Sequence, residues 1–514
     1  MHDLAHIRFQ LRPFPYVSVR SRSIRFLISH PNFTKGPQNM KKTISSFMLA
    51  CIVSAGSVFP GFQAFAQTPQ TAVPVSASAA KIPELPLNQQ IARPAKKWIA
   101  EGVMYQINPR AFTPEGTLKA AEGKLQHIAD LGVTIVYLCP VFVADDDMNR
   151  EFWSPRQKKS GMENPRNPYR MKDFYHVDPE YGTNADLKSF IDTAHSLGLR
   201  VMLDMVYVHC GPTAVLIEKD PDFVKRDKNG KIITEAWKYP ALNFNSQKLR
   251  EYLYANMEQW VSEYGVDGFR MDVADRIPLD FWEEARVRLE KIEPEIGLLS
   301  EGTRWRDQLK AFDLNYSFPI YSYIRRVYDE GLSAKEIRGV KERFRNQRPI
   351  GGDRVIHYID NHDISNDDYQ NRVEKRWTEK GVNAMLAMMF TLDGTPMLYC
   401  GQEICDKNRH SIFGSKFGCK IDWENADSDE AKRRTALIRQ LAAERKARPE
   451  LTAGKLVWLD NSVEKDVLTY LRVLGEKQTL VAVNVRGKAV SGSVTLPDGT
   501  QKHLELDAWG FLIE

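Results

Sequence analysis

The segment "GVDGFRMDVADRIP", residues 265–278, decides how the chain is read. An arginine and, two residues later, an aspartate stand in a strand-length run of apolar residues. An unpaired charge taken out of water costs several kcal/mol or forces a pKa shift. Side chains alternate along a strand, so Arg270 and Asp272 point to the same side. Either the two make a private ion pair, or they face a cleft in which a carboxylate is needed.

Outward from this segment, similar runs recur. They are "GVMYQI" (102–107), "VTIVYLC" (133–139), "LRVMLDMVYV" (199–208), "GFRMDV" (268–273), "IGLLSE" (296–301), "AFDLNYSF" (311–318), "VIHYID" (355–360) and "PMLYC" (396–400). All are continuous rather than alternating, as parallel strands covered on both faces should be. Amphipathic helices lie between them. Thr183 to Asp186 resembles a capping box ahead of Leu187, Phe190, Ile191, Ala194 and Leu197, closed by Gly198. The segment after Ser246 repeats the pattern with Leu249, Leu253, Met257, Trp260 and Val261, and stops at Gly265. Eight strands with interleaved helices over residues 98–447 predict an α/β fold, a (β/α)8 TIM barrel, with a short insertion after strand 3 at about 210–240. Beyond Pro449 the texture changes to period-2 runs, "VLTYLRV" and "TLVAVNV", with the turn "LPDG". Residues 448–514 are therefore expected to form a C-terminal antiparallel β-sandwich domain.

The N-terminal end reads differently. Met40 is followed by two lysines, an apolar stretch and Ala64-Phe65-Ala66, the layout of an export signal with its cleavage site over 40–66. Residues 1–39 read as an extension ahead of the true start, and 67–97, rich in Pro, Ala, Ser and Gln, as a flexible linker. The expectation is an exported protein, periplasmic or secreted, with no membrane span in the mature chain and a lipoprotein anchor at Cys51 as the lesser alternative. The charge reading follows. The full chain has 71 Lys+Arg and 66 Asp+Glu, net +5. Residues 1–39 hold six basic and one acidic residue and 40–66 two lysines, which leaves 63 basic against 65 acidic, net −2. Nothing in that balance points to nucleic acid as a partner. The five remaining cysteines show no metal spacing; buried free thiols are expected, with Cys405–Cys419 as the candidate bridge. Oligomeric state is not readable from the sequence.

The active site of a barrel of this kind lies at the carboxyl ends of its strands. Polar residues collect there: Asp204 and His209 after strand three, Arg270 and Asp272 after strand four, Glu301 after strand five, His362 and Asp363 after strand seven. A lone acid or histidine at a strand end is more often a cap. Several acids with Arg and His on one rim are not explained by folding, which would put apolar groups in the core and charges on the outer helices.

"LDMVYVH", "GFRMDVAD", "LLSEGTRW" and "YIDNHD", in this order and spacing, resemble the four sequence signatures of the α-amylase family of glycoside hydrolases. "GVTIVYLCPVF", "PYRMKDFYHVDPEYGT" and "GTPMLYCGQEI" support the likeness, which covers about residues 98–514. The resemblance implies that Asp272 is the nucleophile, Glu301 the general acid/base and Asp363 the third carboxylate that holds sugar hydroxyls. It implies that Arg270, beside the nucleophile, binds substrate together with Asp204, that His209 and His362 hold the sugar, and that Tyr169 stacks on it. Arg270 is expected to keep Asp272 ionised and nearby acids to keep Glu301 protonated. The implied partner is an α-glucan oligosaccharide, and the implied reaction is retaining cleavage of α-1,4 bonds, with α-1,6 as a second linkage. Alternatives on the same residues are a transglycosylase, a trehalose-forming isomerase or a non-catalytic glucan-binding relative. "YPALN" and Val273 are similar to the neopullulanase and cyclomaltodextrinase branch or the α-1,6-glucosidases.

The sequence departs from the family at two positions. Asn and Asp usually supply ligands to a structural Ca2+ where this chain has Val208 and Ala241. Ca2+ takes six to eight oxygen ligands, so the usual site is expected to be lost and no cofactor is expected. The run Asp145-Asp146-Asp147 is a candidate for a different metal, with a solvated loop as the simpler reading.

Overall fold

The computed structural model describes residues 85–514, apart from 236, 368 and 415–417. The expected extension, export signal, Cys51 and residues 67–84 of the linker lie outside the described residues. No helix among the described residues is long and apolar enough to cross a membrane.

The strands in chain order are β1 (Met104–Ile107), β2 (Ile135–Leu138), β3 (Phe142–Ala144), β4 (Met171–Val177), β5 (Arg200–Met205), β6 (Gly268–Met271), β7 (Gly297–Ser300), β8 (Leu314–Tyr316), β9 (Val355–His357) and β10 (Thr395–Tyr399). Eight of them close a parallel barrel in the order β1-β10-β9-β8-β7-β6-β5-β2. The eight apolar runs therefore supply the eight staves. Two glycines are needed at the seam around the opening segment. A Cβ on Gly268 would sit 2.5 Å from the Gly297 carbonyl oxygen of the next strand, and Gly265 has φ +74° where the preceding helix ends.

Strand alternation sorts the residues into two cores. Met104, Ile135, Tyr137, Met202, Leu299, Leu314, Tyr316, Ile356, Tyr358 and Met397 pack together inside the barrel. Tyr105, Val136, Val201, Leu203, Phe269, Met271, Leu298 and Leu398 belong to the core shared with the outer helices. The helix Asn184–Ser196 has its capping box, Thr183 with Asp186, and the helix Gln247–Ser262 is capped by Ser246. Trp260, Met257, Leu253 and Leu249 are fully buried on the inner face of the second helix; each such side chain contributes about 1.5–3 kcal/mol relative to exposure.

The even-numbered members of β5 and β6 face the interior. Asp204 pairs in register with Arg270 across β5 and β6, and Met271 pairs with Ser300 across β6 and β7. Arg270 and the continuation to Asp272 and Glu301 thus emerge at the same end of the barrel.

The short insertion after the third barrel strand is as expected: the described residues of 210–240 form short helical turns and bridges, and His209 bridges to Ala241 across its base. A further excursion follows the second barrel strand, where β3 and β4 form an antiparallel ribbon with residues 145–170 between them. One expectation needs correction. Residues 85–97, expected as linker, are bound to the barrel. Arg93 pairs with Asp313 at 2.6 Å and Glu290 at 2.7 Å, and the Ala92 amide donates to the Ile350 carbonyl. A guanidinium that finds two carboxylates can tether a segment with few apolar residues of its own.

After the barrel come β11 (Lys455–Trp458), β12 (Val467–Leu474), β13 (Lys477–Asn484), β14 (Val490–Thr495), β15 (Gln501–Leu506) and β16 (Phe511–Ile513). They form an antiparallel sheet β11-β12-β13-β16 and a hairpin β14-β15 around Leu459, Leu471, Leu480, Val494 and Leu504. Arg472, fully buried, ties this layer to the barrel by donating to the Thr391, Leu451 and Gly454 carbonyls. Cys139, Cys210, Cys400, Cys405 and Cys419 are all free thiols, so the Cys405–Cys419 bridge does not form here.

Candidate active site

A cleft opens at the carboxyl end of the barrel, where the active site of this fold is expected. Asp272, Glu301, Asp363, His362, His209 and Tyr169 line it. Six of the eight residues singled out from the sequence are therefore brought together. Asp204 and Arg270 are fully buried and lie under the cleft instead of lining it. They were expected to touch sugar; the structure gives them to the floor.

Arg270 organises that floor. Its Nη1 donates to Asp204 at 2.7 Å and to Asp272 at 2.9 Å, and its Nη2 pairs with Glu301 at 2.7 Å. The guanidinium carbon lies 5.6–6.0 Å from the ring centres of Tyr316, Tyr137 and Tyr169, a cage that suits a delocalised cation. One cation serving three carboxylates leaves an excess of negative charge. Burial, then the charge of Glu301, push Asp272 well above the ordinary carboxylate range, and Arg270 only partly offsets them. Burial also raises Glu301, with Arg270 opposing and Asp363 adding to the rise. Arg270 pulls Asp272 down, as expected, but burial and Glu301 pull it up more strongly, because the two acids share one cation in a low-dielectric site.

Backbone geometry contributes to Glu301. Val273, just after Asp272, adopts φ +45° and ψ +42°, a left-handed conformation that a β-branched residue rarely takes. In that turn its amide donates to Glu301 Oε2 at 2.9 Å. Strain of this kind persists only where the surroundings impose it.

A relay holds the other wall. Gln106 Nε2 donates to His362 Nδ1 at 2.9 Å, which puts the imidazole proton on Nε2, facing Tyr169 Oη at 2.9 Å; Tyr169 in turn donates to Asp204 Oδ2 at 2.8 Å. The rings of Tyr169 and His362 stack 5.2 Å apart at 10°. Burial lowers His362 and takes His209 down to about 4, so both are neutral near pH 7. His209 Nε2 donates to the Tyr169 carbonyl at 2.7 Å, leaving a buried Nδ1 with no protein partner. Asp363 behaves oppositely. Burial alone would raise it, yet the Arg156 guanidinium at 2.5 Å holds it well below the usual range.

Several lining residues escaped the sequence reading: Arg156, Trp237, Tyr239 and Phe413. Trp237 and Tyr239 lie 5.6 and 4.7 Å from the His209 ring, in the short segment after β5. Aromatic residues in an otherwise polar loop are the signal that could have found them.

The donor set for the family's calcium does not fit here. Val208 and Ala241 are buried and contribute no side-chain oxygen. The three consecutive aspartates are also separately engaged. Asp145 accepts from Thr213 N, Thr213 Oγ1 and Asp147 N, Asp146 pairs with Lys172, and Asp147 accepts from Asn149 N.

The family model for the α-amylase catalytic domain matches residues 63–229 and 232–449. The chain belongs to the α-amylase family. This α-amylase family member is 25% identical over 454 residues to a maltogenic α-amylase of Bacillus acidopullulyticus, covering 77% of this chain and 72% of that protein. It is also 25% identical over 451 residues to a cyclomaltodextrinase of a Bacillus species, covering 75% and 73%. Among solved structures, a maltogenic α-amylase from Thermotoga neapolitana superposes with a TM-score of 0.68 at 24% identity, over 81% of this chain and 97% of that one. These relatives are of the branch to which the motifs point, and the chain is a glycoside hydrolase.

Proposed function

We propose that the chain hydrolyses α-1,4 bonds in glucose oligosaccharides with retention of configuration, and accepts α-1,6 bonds as a second linkage. The observation that carries this is a single buried guanidinium held between Asp272 and Glu301 beneath an open cleft, with Asp363 on the facing wall. Acetal cleavage through an oxocarbenium-like state needs one carboxyl protonated and one ionised, and retention needs them close together, about 5–5.5 Å apart. The Asp272–Glu301 pair supplies one shared proton. With it on Glu301, the leaving oxygen is protonated and Asp272 is free to attack the anomeric carbon, forming a glycosyl ester; Glu301, now a base, then activates water. Arg270 stabilises whichever acid is charged, Asp363 holds ring hydroxyls, and neutral His209 and His362 exchange hydrogen bonds with them. Support for α-glucan as substrate comes from the relatives, a maltogenic amylase and a cyclomaltodextrinase.

The test is incubation with maltoheptaose, pullulan, panose, cyclodextrins and trehalose, with product identification and anomer detection by NMR. α-Anomers should appear first from the α-linked oligomers. β-Anomers as first products would overturn retention, and inertness towards every α-glucan would overturn the substrate class.

The same reading holds that this chain does without the family's usual calcium. Exhaustive dialysis against a chelator should leave both the melting temperature and the rate on maltoheptaose unchanged. A fall in melting temperature reversed by added Ca2+ would contradict it.

A further inference from the structure

The carboxylates around the cleft outnumber the valences of Arg270. Its two terminal nitrogens are committed to Asp204, Asp272 and Glu301. Asp363 therefore needs another cation if it is to stay ionised among acids, and that cation arrives from a part of the chain that carries none of the family signatures. Arg156 Nη2 lies 2.5 Å from Asp363 Oδ1, and its Nε lies 2.5 Å from Asp367 Oδ2.

Arg156 does not reach in from a loose loop. It lies in the short helix Pro155–Lys159, whose Ser154 cap accepts from the Gln157 amide, and buried Gln157 donates to the Asn164 carbonyl. Beside it Trp153 is fully buried. The whole excursion between β3 and β4 is gathered by Arg170. This guanidinium is fully buried and donates to the carbonyls of Phe152 at 3.1 Å, Asp145 at 2.9 Å, Asp147 at 2.8 Å and Pro165 at 3.1 Å. A buried cation binding four carbonyl oxygens holds the loop, and the loop presents Arg156 to the site.

We propose that Arg156 is a positioning residue for the reaction: it fixes the orientation and the charge of Asp363 so that the remaining carboxylate oxygen is available to sugar hydroxyls. This deepens the function proposed above and rests on it for the role of Asp363. The groups that face Asp363 are Arg156, His362, Arg270, Asp367, Glu301 and Tyr358. Of these only Arg156 and Arg270 are permanent cations, and Arg270 is occupied by three other acids. The sign follows. Arg156 depresses the Asp363 pKa, so the ionised form survives as pH falls; without Arg156, burial and the neighbouring acids raise it and activity is lost at a higher pH. An opposite charge at this distance moves an Asp by about 1–3 units.

The experiment compares wild type, Arg156→Gln and Arg156→Lys. In Arg156→Gln the acid limb of the kcat/KM profile on maltotriose should move up by about one pH unit or more, with a loss that grows as pH falls. Arg156→Lys should restore much of the limb but not the full rate, since an ammonium cannot reproduce the two-point grip. A merely structural role would lower the rate evenly at all pH values. An independent readout needs no turnover and covers a variant too inactive to assay: carboxyl 13C NMR titration of Asp-labelled protein, with the Asp363 signal assigned through Asp363→Asn. A raised Asp363 midpoint in Arg156→Gln supports the proposal. An unmoved midpoint in a folded variant, or an unmoved acid limb, overturns it. Should Arg156→Gln not fold, Arg156→Lys decides by the same titration, an Asp363 midpoint above wild type being the supporting result and an identical one the contrary. Wild-type protein that hydrolyses no α-glucan would instead refute the proposed function, leaving the NMR outcome to judge Arg156 separately.

Discussion

Asp272→Asn is expected to fold as wild type and to lose turnover on maltoheptaose by on the order of 10⁴-fold or more, the scale seen when a covalent nucleophile is removed. Asn keeps the shape of the side chain and can still accept from Arg270 Nη1, which lies 2.9 Å from Asp272 Oδ1. It removes one of the two interacting acids, so Glu301 is relieved of a repelling charge and the floor becomes less crowded. Melting temperature should therefore hold or rise while activity collapses. That dissociation distinguishes a chemical role from a structural one. A second arm identifies the atom. In Glu301→Gln, a glycosyl fluoride substrate whose leaving group needs no proton should load the nucleophile, and the ester should persist because no base activates water. Mass spectrometry should then find the glycosyl increment on the peptide that contains Asp272. Asp272→Asn that hydrolyses at the wild-type rate, or an increment on another peptide, would remove the assigned nucleophile.

Why this site could be read at all follows from strand parity. In β6 the run Gly268-Phe269-Arg270-Met271-Asp272 places charge on the face where β5 carries Met202 and Asp204, and pairing then puts Asp204 beside Arg270. A charge inside an apolar strand is conspicuous, and the residues two apart are forced to the same side, so the Arg270–Asp272 contact was legible. The contact of Arg270 with Glu301, 31 positions away, was not, and it is the one that changes the electrostatics: it turns a private ion pair into one cation shared by three acids. Arg156 was invisible for a similar reason. It sits in "DDDMNREFWSPRQKKSGMENPRN", a charged run with no helical or strand period, and its partner lies 207 residues away. The tethering of residues 85–97 was hidden likewise, since a single arginine in a Pro- and Ala-rich segment gives no hint that Asp313 waits 220 residues later. What was legible was local or periodic; what was missed was ion pairing at long range.

The same sharing makes Arg270 the residue whose loss should cost the fold most. Arg270→Met keeps length and apolar bulk but strands Asp204, Asp272 and Glu301, of which Asp204 is fully buried and Asp272 nearly so. Breaking a buried ion pair by removing one partner costs about 3–5 kcal/mol, and here three acids lose theirs together. The variant should melt well below wild type at pH 8 and show no measurable hydrolysis. The pH dependence has a definite sign. Burial and Glu301 already raise Asp272, and burial raises Glu301, each against the pull of Arg270; without the guanidinium both rise further. A group whose folded pKa lies above its unfolded value contributes stability that is present at low pH and lost as pH rises through the folded pKa. The deficit in melting temperature should therefore be largest above neutrality and shrink towards pH 5, as Asp272 and Glu301 take up protons. Arg270→Lys should recover only part of the stability, because one ammonium cannot meet three carboxylates from the two ends of a planar fork. Melting curves of the three proteins from pH 5 to pH 8 check this, and an Arg270→Met variant whose deficit is the same at every pH would show that the three acids do not depend on that cation.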